Sequence, residues 1–262
     1  MKYKKNAVKE HLSQYKRDVL QISEEGMWAN NKIRYPHILP MSMKSRNLID
    51  KDYYDQLIET TINSGNKLHS GFHHLNSSQA LAFNLFVPLI IENKLDLLLA
   101  ELGIEDSNVD AKFEYIDDPI EKTNFDFYLE GNAHKVFFEI KYTEDRFGSA
   151  KRDNKHLAKY NNIYKDELNK ICDISAEQFF KNYQLWRNIY YSQKGIVVFV
   201  FPRFREDLTK EVESAIKEIT QKDMVKVLFI DDLVDVLIKS GNESMKNHYI
   251  EFTKKYLNIK NI

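Results

Sequence analysis

The chain has 262 residues, of which 43% are hydrophobic and 13% aromatic, enough apolar surface for one large core or a core with a smaller appendage. A formal net charge of −1 excludes an overall basic nucleic-acid signature, and a single cysteine, Cys172, excludes an internal disulfide, a multi-cysteine zinc knuckle and a four-cysteine iron–sulfur cluster. The N-terminus "MKYKKNAVKEHL" is basic without an apolar stretch behind it, and no run approaches the roughly 18 apolar residues of a membrane span, so a cytoplasmic protein with no membrane partner is expected.

The charges are sorted along the chain. Residues 1 to 46 hold ten Lys/Arg against four Asp/Glu, or +6, whereas residues 92 to 130 hold three against twelve, or −9. The first segment could meet phosphate and the second could hold cations; each could equally be solvated surface.

Residues 5 to 20 and 50 to 63 read as helices around an irregular, Pro- and aromatic-containing stretch, "GMWANNKIRYPHILPMSMKSR". Residues 1 to 70 are therefore taken as a helical and irregular N-terminal extension, and 71 to 262 as the main domain. Asn76 or Ser77 is a candidate cap for a long apolar helix, "SQALAFNLFVPLIIENKLDLLLAEL", perturbed at Pro88 and ended by Gly103. Three strand-like runs follow, "KFEYI", "FDFYL" and "KVFFEIKY". A helix over 175 to 192, a buried strand "GIVVFVF", an amphipathic helix over 205 to 221, a strand "VKVLFI" and terminal helices complete the order. This is an α/β pattern, a mixed central sheet flanked by helices.

Three charges interrupt the second and third strands. The period of two puts Glu139 and Lys141 on one face of "KVFFEIKY" and Asp126 on the polar face of "FDFYL". If the hairpin loop is Gly131 to His134, position 130 pairs with 135 and Asp126 falls opposite Glu139, with Cβ atoms about 5 Å apart. Two carboxylates so close repel unless a cation intervenes. With the backbone carbonyl of Ile140 they form a hard oxygen set suited to Mg²⁺, with Mn²⁺ as a substitute. Lys141 is then placed to orient or activate a water, or to stabilise phosphoryl charge. The duller explanation is an edge hairpin with an inward charge that blocks aggregation, plus a surface Glu/Lys pair.

"FDFYLEGNAHKVFFEIK" resembles the PD-(D/E)XK nuclease motif, an acidic residue on one strand followed by acidic-x-Lys on the next in an αβββαβ core. The proline of the motif is absent, because Phe125 precedes Asp126. "HHLNSSQALAFNLFVPL", "EIKYTEDRFG" and "YQLWRN" extend the likeness, over residues 70 to 200, to bacterial restriction-type endonucleases. The resemblance implies a restriction-endonuclease-like fold and a Mg²⁺-dependent DNA phosphodiesterase of a restriction or phage-defence kind. Its active site would be Asp126, Glu139 and Lys141, with Gln184 of "YQLWRN" near the scissile phosphate. Lys151, Arg152 and Arg187 are candidate substrate contacts; the stretch "RFGSAKRDNKHLAKYNNIYK" is either a substrate-contacting segment or an amphipathic helix.

Several residues carry two readings. Gln79 either closes a capping box to Asn76 or, like Asn84, serves as an accessory polar group; Asn84 is otherwise a satisfied buried amide, and Glu92 is read as structural. Glu144 either supports a second metal or water, or pairs with Arg146 or Lys151. The histidines of "LHSGFHHLN" lack the spacing of a zinc pair and are read as loop residues. DNA is the expected partner, and a homodimer is expected for double-strand cutting because two strands need two centres. The competing class is a nuclease-fold module without activity that binds DNA or a partner protein. No G-x-S-x-G elbow, P-loop or G-x-G-x-x-G supports a small-molecule enzyme.

Overall fold

The computed structural model describes residues 5–28, 30, 32–57 and 68–259. They divide into two units, one formed by residues 106–201 and 205–228, the other by the residues up to 105 together with 202–204 and 229 onward. The boundary expected at residue 70 falls inside the second unit. Among the described residues no helix is long and apolar enough to cross a membrane.

The second unit opens with α1 (Lys5–Asp18), as its apolar spacing requires. The stretch read as irregular contains a short antiparallel hairpin, β1 (Gly26–Trp28) and β2 (Ile33–Tyr35), with Trp28 opposite Ile33. Three-residue strands with exposed Met27, Trp28 and Ile33 carry no inward and outward alternation for a sequence reading to detect. The helix α2 (Lys51–Leu57) covers the start of the one expected at 50 to 63, and residues 58 to 63 lie outside the described ones.

The long apolar helix is two helices, α3 (Ser78–Ile91) and α4 (Leu95–Glu101), separated at Asn93, which adopts the left-handed region at φ 52°. Ser77 is the cap, its hydroxyl accepting the Ala80 amide at 3.3 Å. Pro88 stays inside α3 although it cannot donate to the carbonyl of Asn84. That carbonyl is satisfied from outside by His248 Nε2 at 2.7 Å, and the Leu85 carbonyl accepts the Tyr249 hydroxyl at 2.8 Å. Asn84 itself is a satisfied buried amide. It donates to Asn47 O, Ala80 O and the Tyr256 hydroxyl at 2.8–3.0 Å and accepts from the Ile49 amide at 2.9 Å. Gln79 accepts the His69 amide at 2.8 Å, and Glu92 accepts from the Tyr53 hydroxyl and the Asn242 side chain.

The first unit is built on a five-stranded mixed sheet. Its strands are β3 (Asp110–Tyr115), β4 (Phe125–Glu130), β5 (Lys135–Ile140), β6 (Ile196–Phe201) and β7 (Val225–Phe229), adjacent in that order. β3, β4 and β5 form an antiparallel meander, and β6 joins β5 in parallel, with Glu139 beside Phe199. Every residue of β6 is buried, which explains its continuous apolar run: a strand covered on both faces has no polar side to show. Each such Val or Phe contributes about 1.5–3 kcal/mol by leaving water. Helices flank the sheet: α5 (Asn154–Lys159), a π turn over Tyr160–Tyr164, α6 (Lys165–Leu168), α7 (Ala176–Lys181), α8 (Tyr183–Tyr190) and α9 (Glu206–Glu218). The helices α10 (Ile230–Ser240) and α11 (Glu243–Tyr256) belong to the second unit. The basic stretch after β5 is helical only from Asn154, with its cap supplied by the Asp153 carboxylate on the His156 amide; residues 146–153 are irregular.

Candidate active site

The turn between β4 and β5 is the four residues Gly131 to His134: Glu130 pairs with Lys135, and Phe127 with Phe138. Continuing that ladder by one step sets Asp126 opposite Glu139, the register expected from the period of two. One oxygen of Asp126 accepts the Ile140 amide across the hairpin at 2.7 Å.

Lys141 extends β5, its amide donating to Val200 O at 2.9 Å, and its ammonium lies 3.0 Å from Glu139 Oε1. Both side chains are almost fully buried, 8% and 4% exposed. The fourth member comes from α8. Gln184 Oε1 accepts from Lys141 Nζ at 2.7 Å, and Gln184 Nε2 donates to Glu139 Oε1 at 2.6 Å. The amide therefore bridges the two, and its orientation is dictated by one donor and one acceptor.

A break in the helix read over 175 to 192 makes this placement. At Asn182 the backbone leaves helical geometry (φ −123°, ψ 55°), and the next two amides turn outward, Tyr183 N–H to Gly148 O and Gln184 N–H to Phe147 O, both 3.1 Å. α8 restarts from there, anchored to the loop that follows Lys141. That loop has a second anchor in Arg205, fully buried, which donates to Tyr142 O at 2.7 Å and Glu144 O at 3.0 Å. The Glu144 carboxylate caps the Tyr142 amide at 2.7 Å, while Arg146 pairs with Glu211.

The electrostatics follow from the geometry. Burial and the adjacent charge of Glu139 push the Asp126 carboxyl well above its usual range, against the Ile140 amide and the Lys141 charge. Burial works against the Lys141 ammonium, but the carboxylates of Glu139, Glu144 and Asp126 outweigh it and hold its pKa raised.

The donor set suits a hard cation. Among the described residues, Asp126 Oδ1 and Glu139 Oε2 have no hydrogen-bond partner, since Oδ2 is taken by Ile140 and Oε1 by Lys141 and Gln184. Among those residues no cluster of three or more His, Cys, Asp or Glu could hold a metal by side chains alone. Two carboxylates and a backbone carbonyl, with water completing the shell, is a set that Mg²⁺ accepts and that such a cluster would not reveal.

The three candidate substrate contacts differ in their surroundings. Arg187 joins a buried network around Glu121, bonding to its Oε1 through Nε at 3.0 Å and Nη2 at 2.9 Å. Lys151 and Arg152 are exposed, with the Arg152 guanidinium 5.9 Å from the centre of the Phe180 ring. Sequence reasoning missed Glu121, Asp106 and Arg205. Their bonds to Arg187, His134 and Tyr142 span 66, 28 and 63 positions respectively, so no local spacing marks those pairs.

No curated protein and no solved structure matches the chain significantly. A family model described as a restriction endonuclease associating with ARP matches residues 9–257, which include the β4–β5 hairpin, α8 and most of both units. With that match over nearly the whole chain, the protein belongs to the family of restriction endonucleases associating with ARP.

Proposed function

We propose that the chain is a Mg²⁺-dependent endodeoxyribonuclease with a PD-(D/E)XK site, acting in a restriction or phage-defence role. The observation that carries this reading is the convergence of Asp126, Glu139, Lys141 and Gln184 through one hairpin register and one helix break. The family description supports a restriction role and names ARP as an associate.

Asp126 Oδ1, Glu139 Oε2 and the Ile140 carbonyl would hold the ion, which supplies Lewis-acid stabilisation of phosphoryl charge and a water of lowered pKa. The chain's own residues do the rest. Glu139 is oriented by Gln184 and Lys141, so its remaining oxygen has one direction. Lys141 stays protonated under its surrounding carboxylates and presents a fixed positive charge to a nonbridging phosphate oxygen or the attacking water. Gln184 holds Lys141 in place and can pass its amide hydrogen bond from Glu139 to substrate.

The test is plasmid DNA with Mg²⁺ or Mn²⁺, with and without the family's ARP associate, beside Asp126→Ala and Lys141→Ala proteins. Cleavage by the wild type alone is expected. A wild type that binds DNA but cuts nothing across metals and substrates sinks the enzymatic reading in favour of a DNA-binding module, and variants that cut as well as the wild type move the active site elsewhere.

A further inference from the structure

Glu121 is fully buried, and its carboxylate is saturated. Oε1 accepts from Arg187 Nε and Nη2, from the Thr123 hydroxyl at 2.8 Å and from the Tyr164 hydroxyl, with Lys159 Nζ at 3.3 Å. Oε2 accepts the Thr123 amide at 2.6 Å and the Tyr191 hydroxyl at 2.9 Å. Arg187 also donates to the Thr123 hydroxyl at 2.8 Å. A carboxylate so fully engaged has no oxygen left for a metal or substrate. A buried ion pair is also a poor source of net stability, because desolvation offsets most of the Coulomb gain. What it supplies is geometry, since a guanidinium fork on a carboxylate fixes both distance and direction.

The two ends of this pair bracket the proposed active site. Thr123 precedes Asp126 by three residues at the entry to β4, and Arg187 follows Gln184 by three on α8, one turn along the same side of the helix. α8 is eight residues long and begins at a break, so no preceding helix sets its rotation about its axis. We infer that the Glu121–Arg187 pair is a positioning device that fixes the rotation of α8 against the start of β4, and so holds the Gln184 amide between Lys141 and Glu139. The inference rests on the nuclease reading only for its effect on cleavage; the placement of Gln184 is a property of the folded chain.

The experiment compares Glu121→Gln and Arg187→Lys with Gln184→Ala and with the Glu121→Gln/Gln184→Ala double variant. The first readout is the Lys141 ¹³Cε signal in lysine-labelled protein, assigned through its loss in Lys141→Arg. Both network variants should move that signal in the direction that Gln184→Ala moves it, and Glu121→Gln should add nothing once Gln184 is gone. The second readout is Mg²⁺-dependent cleavage, where Glu121→Gln should lower kcat by up to about a hundredfold with KM for DNA unchanged, again only while Gln184 is present. A Lys141 signal that stays put in a folded Glu121→Gln protein, or an equal effect with and without Gln184, overturns the inference. If Glu121→Gln does not fold, Tyr191→Phe withdraws one hydrogen bond from the same carboxylate and carries the same readouts. A wild type that cuts no DNA while the Lys141 signal behaves as stated removes the nuclease reading and leaves the positioning role standing.

Discussion

The Asp106 carboxylate reaches 28 residues along the chain to His134, accepting its amide at 2.8 Å and lying 3.3 Å from its ring Nδ1. The same carboxylate accepts the amides of Ser107 and Ala133, so it clamps the far half of the β4–β5 turn. Gly131 sits against it, and a Cβ there would collide with the Asp106 carboxyl group. The register that faces Asp126 with Glu139 is thus enforced from outside the hairpin.

Replacing Asp106 by Ala should loosen that turn. Faster hydrogen exchange is expected at Ala133 and His134, with a loss of Mg²⁺-dependent protection at Asp126, and Asp106→Asn should be intermediate because it keeps one acceptor. Burial opposes ionisation of Asp106, but the surrounding amides and His134 outweigh it and hold the carboxyl at about 2, below its ordinary 3.8. A depressed carboxyl stabilises the fold above the unfolded value and loses that contribution as the pH falls. The difference in Tm between wild type and Asp106→Asn should therefore be constant above pH 5 and shrink between about pH 4 and 2; a difference that grows on acidification would contradict the clamp.

Asp126 carries the opposite sign. Its carboxyl is raised by burial and by Glu139, so above the unfolded pKa its ionisation works against folding. Asp126→Asn should abolish cleavage yet melt higher than the wild type near neutral pH, by about 2–4 °C for each kcal/mol of relieved repulsion, and the gap should close in acid. Mg²⁺ should raise the Tm of the wild type and leave that of Asp126→Asn unchanged. Differential scanning calorimetry with and without the ion checks both; a variant that melts lower at pH 7 refutes the repulsion.

Much of this site was legible in the sequence because it is local. Alternation within "FDFYLEGNAHKVFFEIK" gives the faces, and the Gly131 to His134 turn gives the register, so Asp126, Glu139 and Lys141 could be brought together on paper. Gln184 needed the family resemblance. The restraints that aim these residues were not legible: Asp106, Glu121 and Arg205 act through contacts between distant positions, and nothing in their own neighbourhoods differs from solvated loop or helix. The pairing of Arg187 with Glu121 is hidden for the same reason, since that partner lies 66 residues upstream. The break between α3 and α4 lay in the polar "ENK", hidden by apolar helix on both sides.

Lys141 and Glu139 allow stability and chemistry to be separated. Lys141→Met should lower cleavage by about 10²–10⁴-fold and also destabilise the fold by about 3–5 kcal/mol, because a 4%-exposed Glu139 loses its ammonium partner. Adding Glu139→Gln removes the stranded charge. The Glu139→Gln/Lys141→Met protein should recover most of the lost stability in urea unfolding while remaining inactive. Failure to recover would mean that packing around the lysine stem, not its charge, supports β5.

The Pro88 site predicts an acid-sensitive helical unit. His248 Nε2 must donate to the Asn84 carbonyl that Pro88 leaves open, and burial of the ring holds its pKa at about 4, against the favourable pull of that carbonyl. His37 and His74, in the same unit, are also lowered by burial to about 4. A histidine whose folded pKa is depressed leaves the unfolded chain binding more protons between the two values, so stability falls as the pH drops from about 6.5 toward 4. His248→Ala removes one titrating group but strands the carbonyl, at a cost of about 1–3 kcal/mol. The variant should therefore melt lower than the wild type at pH 8, and its Tm should decline less steeply below pH 6.5. Equal slopes would show that burial does not hold the His248 ring below its unfolded pKa.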